Sequence, residues 1–169
     1  MTNLNLWELR TSASFRKNQM KTIYFLSIVL VFTSCRPKQP NISQIDFKAD
    51  ACFGTCPIFT MTILNDGTAN YDARLYNERQ GQFRTIVRKP QLDSLLAYIA
   101  NADFFSLKEN YSTPITDQPT YILTVKLKNG KSKTIEDYGP SGPKNLDKIY
   151  ALLFSLRETQ NWKITAHND

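Results

Sequence analysis

Hydrophobic and polar residues alternate over much of the first half of the chain after the N-terminal segment. In the first alternating stretch, Ile45 and Phe47 stand between polar residues, a pattern typical of half-buried strands. Asp66-Gly67 is a strong hairpin-turn signal between two β-branched or alternating stretches. This half of the chain is predicted to form four strands, at residues 42–48, 58–64, 68–75 and 82–87.

The apolar spacing becomes helical after Pro90, which is well placed in a first helical turn. The two predicted helices cover residues 90–101 and 144–158, and their buried faces are Leu92, Leu95, Leu96 and Ile99, then Leu146, Ile149, Tyr150, Leu153 and Leu156. Between the helices, a polar loop is predicted at residues 108–118, followed by strands at residues 120–128 and 131–137. The pattern predicts an α+β fold, in which an antiparallel sheet of two hairpins plus flanking strands packs against two helices.

The register of the first hairpin stays open in the sequence. A two-residue turn at Asp66-Gly67 would place Thr62 opposite Tyr71, whereas a bulged turn would shift this pairing.

Four lysines flank the second turn signal, Asn129-Gly130. They are Lys126, Lys128, Lys131 and Lys133. A two-residue turn would place Lys126 opposite Lys133 and Lys128 opposite Lys131. All four side chains would then lie on one face of the sheet. Such a patch could hold an anionic partner or lipid headgroups. Alternatively, it is a solvated face that keeps an edge strand from pairing.

Three further polar residues suggest a small polar site. Tyr111 and Asp117 lie in the longest predicted loop, and Asp137 ends the neighbouring hairpin. Loop carboxylates close to a fixed cysteine loop could form such a site. The alternative is that Asp117 caps a turn before Pro119.

Charge and residue types exclude several function classes. The net charge is +6, but four of the 21 basic and one of the 15 acidic residues precede Arg36, leaving 17 against 14, or +3. This small excess does not predict nucleic-acid binding. The one histidine, His167, is near the C-terminus, and no Ser-His-Asp set, phosphate loop or zinc spacing is present. No catalytic residue, cofactor or metal is predicted.

The N-terminal segment resembles a bacterial lipoprotein signal. After Met20-Lys21, an apolar run at residues 22–32 leads to small residues directly before Cys35. The run is too short to span a bilayer but suits a secretory signal. In the lipoprotein family the cysteine becomes the lipidated first residue of the mature protein. The alternative is an ordinary signal peptide in which the cysteine occurs by chance.

This interpretation defines the domain organisation. The predicted segments are an upstream extension and signal at 1–35, a tether at 36–44, a single α+β domain at 45–158 and a C-terminal tail at 159–169.

Cys52 and Cys56 remain as a pair if Cys35 carries lipid, and in an exported protein they are expected to form a disulfide. The Cys-x-x-x-Cys-Pro pattern also resembles the copper-binding motif of Sco-type copper chaperones. There the motif leads into a helix and a histidine ligand follows later. Here a strand is predicted to follow, and His167 is a poor ligand candidate.

Several motifs together resemble a domain-of-unknown-function family of Gram-negative envelope lipoproteins. They are Cys-Phe-Gly-Thr-Cys-Pro at residues 52–57, Asp66-Gly67, Phe104-Phe105-Ser-Leu, Tyr111, Thr116-Asp117 and Asp137-Tyr138. The resemblance covers residues 45–156. It implies export, a lipid anchor and a single domain, and it carries no activity.

The expected function is therefore that of a non-enzymatic, lipid-anchored envelope domain that binds an envelope protein or supports envelope structure. The absence of acidic residues directly after Cys35 favours the outer membrane, facing the periplasm. Two alternatives remain open: a thiol-based copper or redox protein using Cys52 and Cys56, and an enzyme of unspecified type that uses the carboxylates.

Overall fold

The computed structural model of this chain describes residues 41–166. The strands are β1 Ile42–Ala49, β2 Phe59–Leu64, β3 Thr68–Ala73, β4 Gly81–Ile86, β5 Asn110–Ser112, β6 Thr120–Leu127, β7 Ser132–Tyr138 and β8 Lys163–Ala166. The helices are α1 Lys89–Asn101 and α2 Lys144–Thr159, and a 3-10 turn covers Phe104–Ser106. The predicted α+β class, with a mostly antiparallel sheet and two helices, is confirmed.

All eight strands belong to one sheet, in the order β5-β7-β6-β1-β2-β3-β4-β8. The opening strand β1 lies inside the sheet and pairs antiparallel with β2 on one side and β6 on the other. It therefore joins the two hairpins into a single sheet. The short strand β5 runs parallel to β7.

One face of the sheet forms the core together with the two helices. Successive side chains of a strand point to opposite faces, and in β2 every second residue, beginning with Phe59, is buried. Phe47 of β1 and Phe59 of β2 are almost wholly buried there. Phe154 of α2 packs against both rings, with its ring centroid 5.8 Å from Phe47 and 5.3 Å from Phe59. These aromatic contacts fix α2 across the middle strands.

Both hairpin turns contain a glycine in the left-handed region of backbone space. The φ angles are +86° at Gly67 and +87° at Gly130, and each glycine amide donates to the carbonyl oxygen three residues earlier. This is the three-residue turn with a bulge. In the first hairpin it places Thr62 opposite Asn70, so the bulged alternative is the one that forms.

The prediction of a two-residue turn at Asn129-Gly130 is wrong. A two-residue turn of that type needs positive φ at both positions, and of the two residues Gly130 alone has it. The observed register sets Lys126 opposite Ser132 and Lys133 opposite Val125. A shift of one residue moves a side chain to the other face of the sheet.

The folded domain extends past both predicted boundaries. β1 begins in the predicted tether, β8 lies in the predicted tail at 159–169, and β5 lies in the predicted loop at 108–118. Trp162, beyond α2, is buried, and its indole nitrogen donates to the Leu156 carbonyl at 2.9 Å. β5 and β8 have three and four residues, too few for a clear alternating pattern.

The predicted signal segment, Cys35, most of the tether and His167 lie outside the described residues. Within residues 41–166, neither helix is long and apolar enough to cross a membrane.

Candidate functional site at the loop end of the sheet

Four connecting segments lie at the same end of the sheet, which we call the loop end. β1, β3 and β7 finish at this end, and β2, β4 and β6 start from it. The segments are residues 50–58, 74–80, 113–119 and 139–143. Antiparallel pairing brings them together although they are far apart in the sequence.

The cysteine loop, Cys52 to Cys56, is closed by a bond between the two sulfur atoms, with the Cα atoms 5.7 Å apart. The predicted pairing of Cys52 with Cys56 is thus confirmed, in that the two sulfur atoms lie at disulfide distance. Gly54 between them has a φ of +150°, which L side chains rarely adopt. The Phe53 amide donates to the Asp117 carbonyl at 3.3 Å, so the cysteine loop is attached to residues 113–119.

Replacing Cys52 and Cys56 together with serine is expected to lower the free energy of unfolding by about 2 kcal/mol while the domain stays folded. The disulfide closes a loop of a few residues, so it removes little entropy from the unfolded chain. Urea denaturation of the wild type and the double variant measures the change, and the wild type under reducing conditions is the matched control. A double variant that does not fold would contradict this.

Asn77 organises segment 74–80. Its side-chain nitrogen donates to the carbonyl oxygens of Ile58 at 2.8 Å and Leu75 at 3.1 Å. Its side-chain oxygen accepts hydrogen bonds from the Tyr71 hydroxyl at 2.9 Å and from Nη1 of Arg157 at 3.0 Å. The segment is therefore fixed at once to segment 50–58, to β3 and to α2.

Exposed apolar side chains are concentrated at the loop end. Phe53, at the tip of the cysteine loop, is 88% exposed. The others at this end are Leu75, Tyr76 and Ile115, each more than half exposed. Four of the seven exposed large apolar side chains of the described residues thus lie at this end, which makes it a candidate interaction surface.

Two residues of the loop end that are not glycine have left-handed backbones. The φ angles are +59° at Tyr76 and +66° at Asp117. This conformation costs most L residues roughly 1–2 kcal/mol, although single aspartates adopt it more readily, and strained backbones of this kind cluster at functional sites. The neighbouring hydrogen bonds of Asn77 and Phe53 hold both segments in place.

The structure brings together two of the three residues of the predicted polar site. Tyr111 of β5 pairs with Asp137 of β7 across the parallel strands, and the Tyr111 hydroxyl accepts a hydrogen bond from the Lys108 amide at 3.0 Å. Asp117 instead lies at the surface, and its carbonyl contacts the cysteine loop. The three side chains are therefore not one cluster around an open space.

Asp137 is completely buried. Its carboxylate accepts hydrogen bonds from four donor groups. The amides of Ser141 and Gly142 donate at 2.7 and 3.2 Å, and the Ser141 hydroxyl donates at 3.2 Å. The Tyr150 hydroxyl donates to the other oxygen at 3.2 Å. Burial raises the pKa of Tyr150, and the Asp137 charge raises it further. This arrangement fixes the start of α2. The helical spacing assigned Tyr150 to the core without indicating this bond.

The four predicted lysines do not share one face. Nζ of Lys126 lies 3.0 Å from Oδ2 of Asp46 on the uncovered face of the sheet. Nζ of Lys133 donates to the carbonyl of Leu107 and, at 3.2 Å, to that of Phe105. Lys131 lies over the Phe105 ring, and Lys128 is exposed in the turn.

Lys126 already has a partner in the carboxylate of Asp46. Partial burial alone would raise the pKa of Asp46, but hydrogen bonds from Gln44, Thr62 and Lys126 hold that pKa below its ordinary value. An anionic partner would have to compete with this carboxylate for Lys126.

A polar cleft beside the loop end was not predicted from the sequence. Its lining residues are Tyr71, Glu78, Arg79, Arg157 and Glu158. They come from β3, segment 74–80 and the end of α2, and no sequence spacing connects them. Among residues 41–166, no group of three histidine, cysteine or carboxylate side chains is arranged to hold a metal ion.

The fold and the loop end define a class of protein: a single-sheet α+β domain with a disulfide-closed loop and no recognisable catalytic set among its described residues. A family model described as Domain of unknown function (DUF6438) matches residues 43–157, more than half of the chain. The chain belongs to this family. No match was found among curated proteins. The family match stops before β8 and Trp162, which complete the sheet and core here.

Proposed function

We propose that this chain is a lipid-anchored cell-envelope protein whose domain binds a partner protein at the loop end, without catalysis. The observation that carries the proposal is the group of exposed apolar side chains around Phe53 on a backbone held by a disulfide. A rigid surface loses less conformational entropy on binding than a mobile one. Apolar and aromatic side chains supply most of the energy at protein interfaces.

β1 begins at Ile42, at the end of the sheet opposite the loop end. The signal-like segment before Cys35 supports an anchor at that residue, and the absence of acidic residues directly after it supports the outer membrane, facing the periplasm.

Phe53→Ser is expected to weaken partner binding by about 30-fold or more, the effect of losing one interface hot spot. It should change the free energy of unfolding by less than about 0.5 kcal/mol, because the side chain contacts mainly solvent. A photo-crosslinking residue at position 53 in intact cells should capture a discrete partner, whose affinity for the wild type and the variant is then measured.

Position 86 offers a matched control. Ile86 is 73% exposed and apolar, but it ends β4 at the opposite end of the sheet. Crosslinks that are the same from positions 53 and 86, or none from position 53, would contradict binding at the loop end.

The lipid anchor is tested separately. Metabolic labelling with a clickable fatty acid is expected to mark the wild type and to miss Cys35→Ser, because that thiol is the proposed attachment point. Equal labelling of both proteins would refute the anchor while leaving the binding surface untouched.

The thiol-based copper or redox function is the competing proposal. Alkylation and mass spectrometry of protein taken from cells distinguish the two. Cys52 and Cys56 should be protected as a disulfide; largely free thiols would favour copper or redox chemistry.

A further inference from the structure

The polar cleft beside the loop end has a volume of about 270 Å³. This is enough space for several water molecules or one small solute. Its walls carry two guanidinium groups, Arg79 and Arg157, and two carboxylates, Glu78 and Glu158. The cleft is thus small, charged with both signs, and formally neutral overall.

Arg157 is held rigidly at the cleft. Its side chain is 14% exposed, and its Cζ lies 5.0 Å from the ring centroids of both Phe59 and Phe154. Its Nε donates to the Phe154 carbonyl at 3.2 Å, and Nη1 donates to Oδ1 of Asn77. A ligand would therefore meet a guanidinium whose position is already fixed.

The remaining charges of the cleft are weakly engaged. Nη2 of Arg157 is 3.6 Å from the carboxylate of Glu158, whose side chain is 70% exposed. Ion pairs with so exposed a partner contribute little to the stability of the fold. Arg79 lies over the Phe83 ring, 5.0 Å from its centroid. Within the described part of the chain, no carboxylate lies at ion-pair distance from Arg79.

Positive and negative side chains of the cleft both influence the Tyr71 hydroxyl. Burial raises the pKa of the Tyr71 hydroxyl, the positive charges of Arg157 and Arg79 oppose this, and Glu158 adds to it. The two cations and at least one carboxylate are thus close enough to one hydroxyl to influence its ionisation.

We propose that this cleft binds a small zwitterion of the amino-acid or short-peptide class. The ligand carboxylate lies between Arg79 and Arg157, and its ammonium group lies towards Glu78 and Glu158. A simple anion would be attracted by the two arginines but repelled by Glu78 and Glu158, whereas a zwitterion carries charges that complement both pairs. This site is separate from the apolar residues of the loop end, so it stands whether or not they bind a protein.

Isothermal titration of the full chain in detergent with three probes tests the proposal. Dialanine is a zwitterion, N-acetyl-dialanine carries only the carboxylate, and dialanine amide carries only the ammonium group. Dialanine is expected to bind at least about tenfold more tightly than either blocked probe, because each lacks one of the two charges. Absence of dialanine binding, or equal or tighter binding of N-acetyl-dialanine or dialanine amide, would overturn the zwitterion site.

Arg79→Gln locates the site. It should weaken dialanine binding at least about tenfold, because it removes one charged donor and leaves the buried Arg157 in place. Arg84→Gln is the matched control, since Arg84 is exposed on β4 and does not line the cleft. Unchanged dialanine affinity in Arg79→Gln, or an equal loss in the control, would show that this cleft is not the binding site.

Discussion

Replacing Asp137 with alanine is expected to lower the free energy of unfolding by about 3–5 kcal/mol. The substitution removes the acceptor for the amides of Ser141 and Gly142 and for the Tyr150 hydroxyl. The Tyr150 hydroxyl lies in the core and the two amide bonds are partly buried, and a buried donor left without a partner costs about 1–3 kcal/mol. Urea denaturation followed by circular dichroism measures the loss, and a fall in the melting temperature of roughly 10 °C or more should accompany it.

Two variants control this result. Asp137→Asn keeps one acceptor oxygen but turns a donor towards other donors, so it should cost less than alanine and still destabilise. Glu136→Ala alters the neighbouring exposed carboxylate of the same strand, and a change within about 0.5 kcal/mol is expected. If Asp137→Ala cost no more than Glu136→Ala, the buried carboxylate would not be what holds the start of α2.

Gly139→Ala is expected to cost about 3 kcal/mol or more, for two separate reasons. The residue has a φ of +67°, which an alanine adopts at a cost of roughly 1–2 kcal/mol. An added Cβ would also overlap Cγ2 of Thr113 and lie 3.1 Å from Cβ of Gln118. Because the Gly139 amide donates to the Pro119 carbonyl at 2.9 Å, the backbone cannot move away without losing that bond.

Gly130→Ala separates the two contributions. Gly130 has a φ of +87°, but an added Cβ would have no neighbour within 4 Å. This variant should show the backbone cost alone, about 1–2 kcal/mol, in the same denaturation experiment. Equal losses in the two glycine variants would mean that Thr113 and Gln118 yield freely and that the close packing at Gly139 is unimportant.

Secondary structure was predictable where a pattern extended over six or more residues. The strands around Phe47 and Ile63 and both helices were found from their apolar spacing, because one face of each packs on the core. β5 and β8 were missed, since three or four residues cannot show a period. Their pairing with β7 and β4 places them in the sheet.

The turn signals fixed the position of each hairpin better than its register. Asp66-Gly67 and Asn129-Gly130 each supply a glycine for the left-handed position, but both dipeptides suit a two-residue or a three-residue turn. The three-residue form moved Lys133 to the core side, where Leu107 and Phe105 accept its hydrogen bonds. The lysine patch failed to assemble for this reason.

The sequence by itself determined the fold class, the cysteine pair and the residues that build the core, because these depend on local spacing and on residue type. Tertiary structure alone decided that Asp137 is buried against Tyr150, that Phe53 and Ile115 come to the same end of the sheet, and that Arg79 and Arg157 line one cleft. Phe53 and Ile115, like Arg79 and Arg157, are far apart along the chain. Their proximity follows from strand order and register, which depend on how all eight strands pair at once.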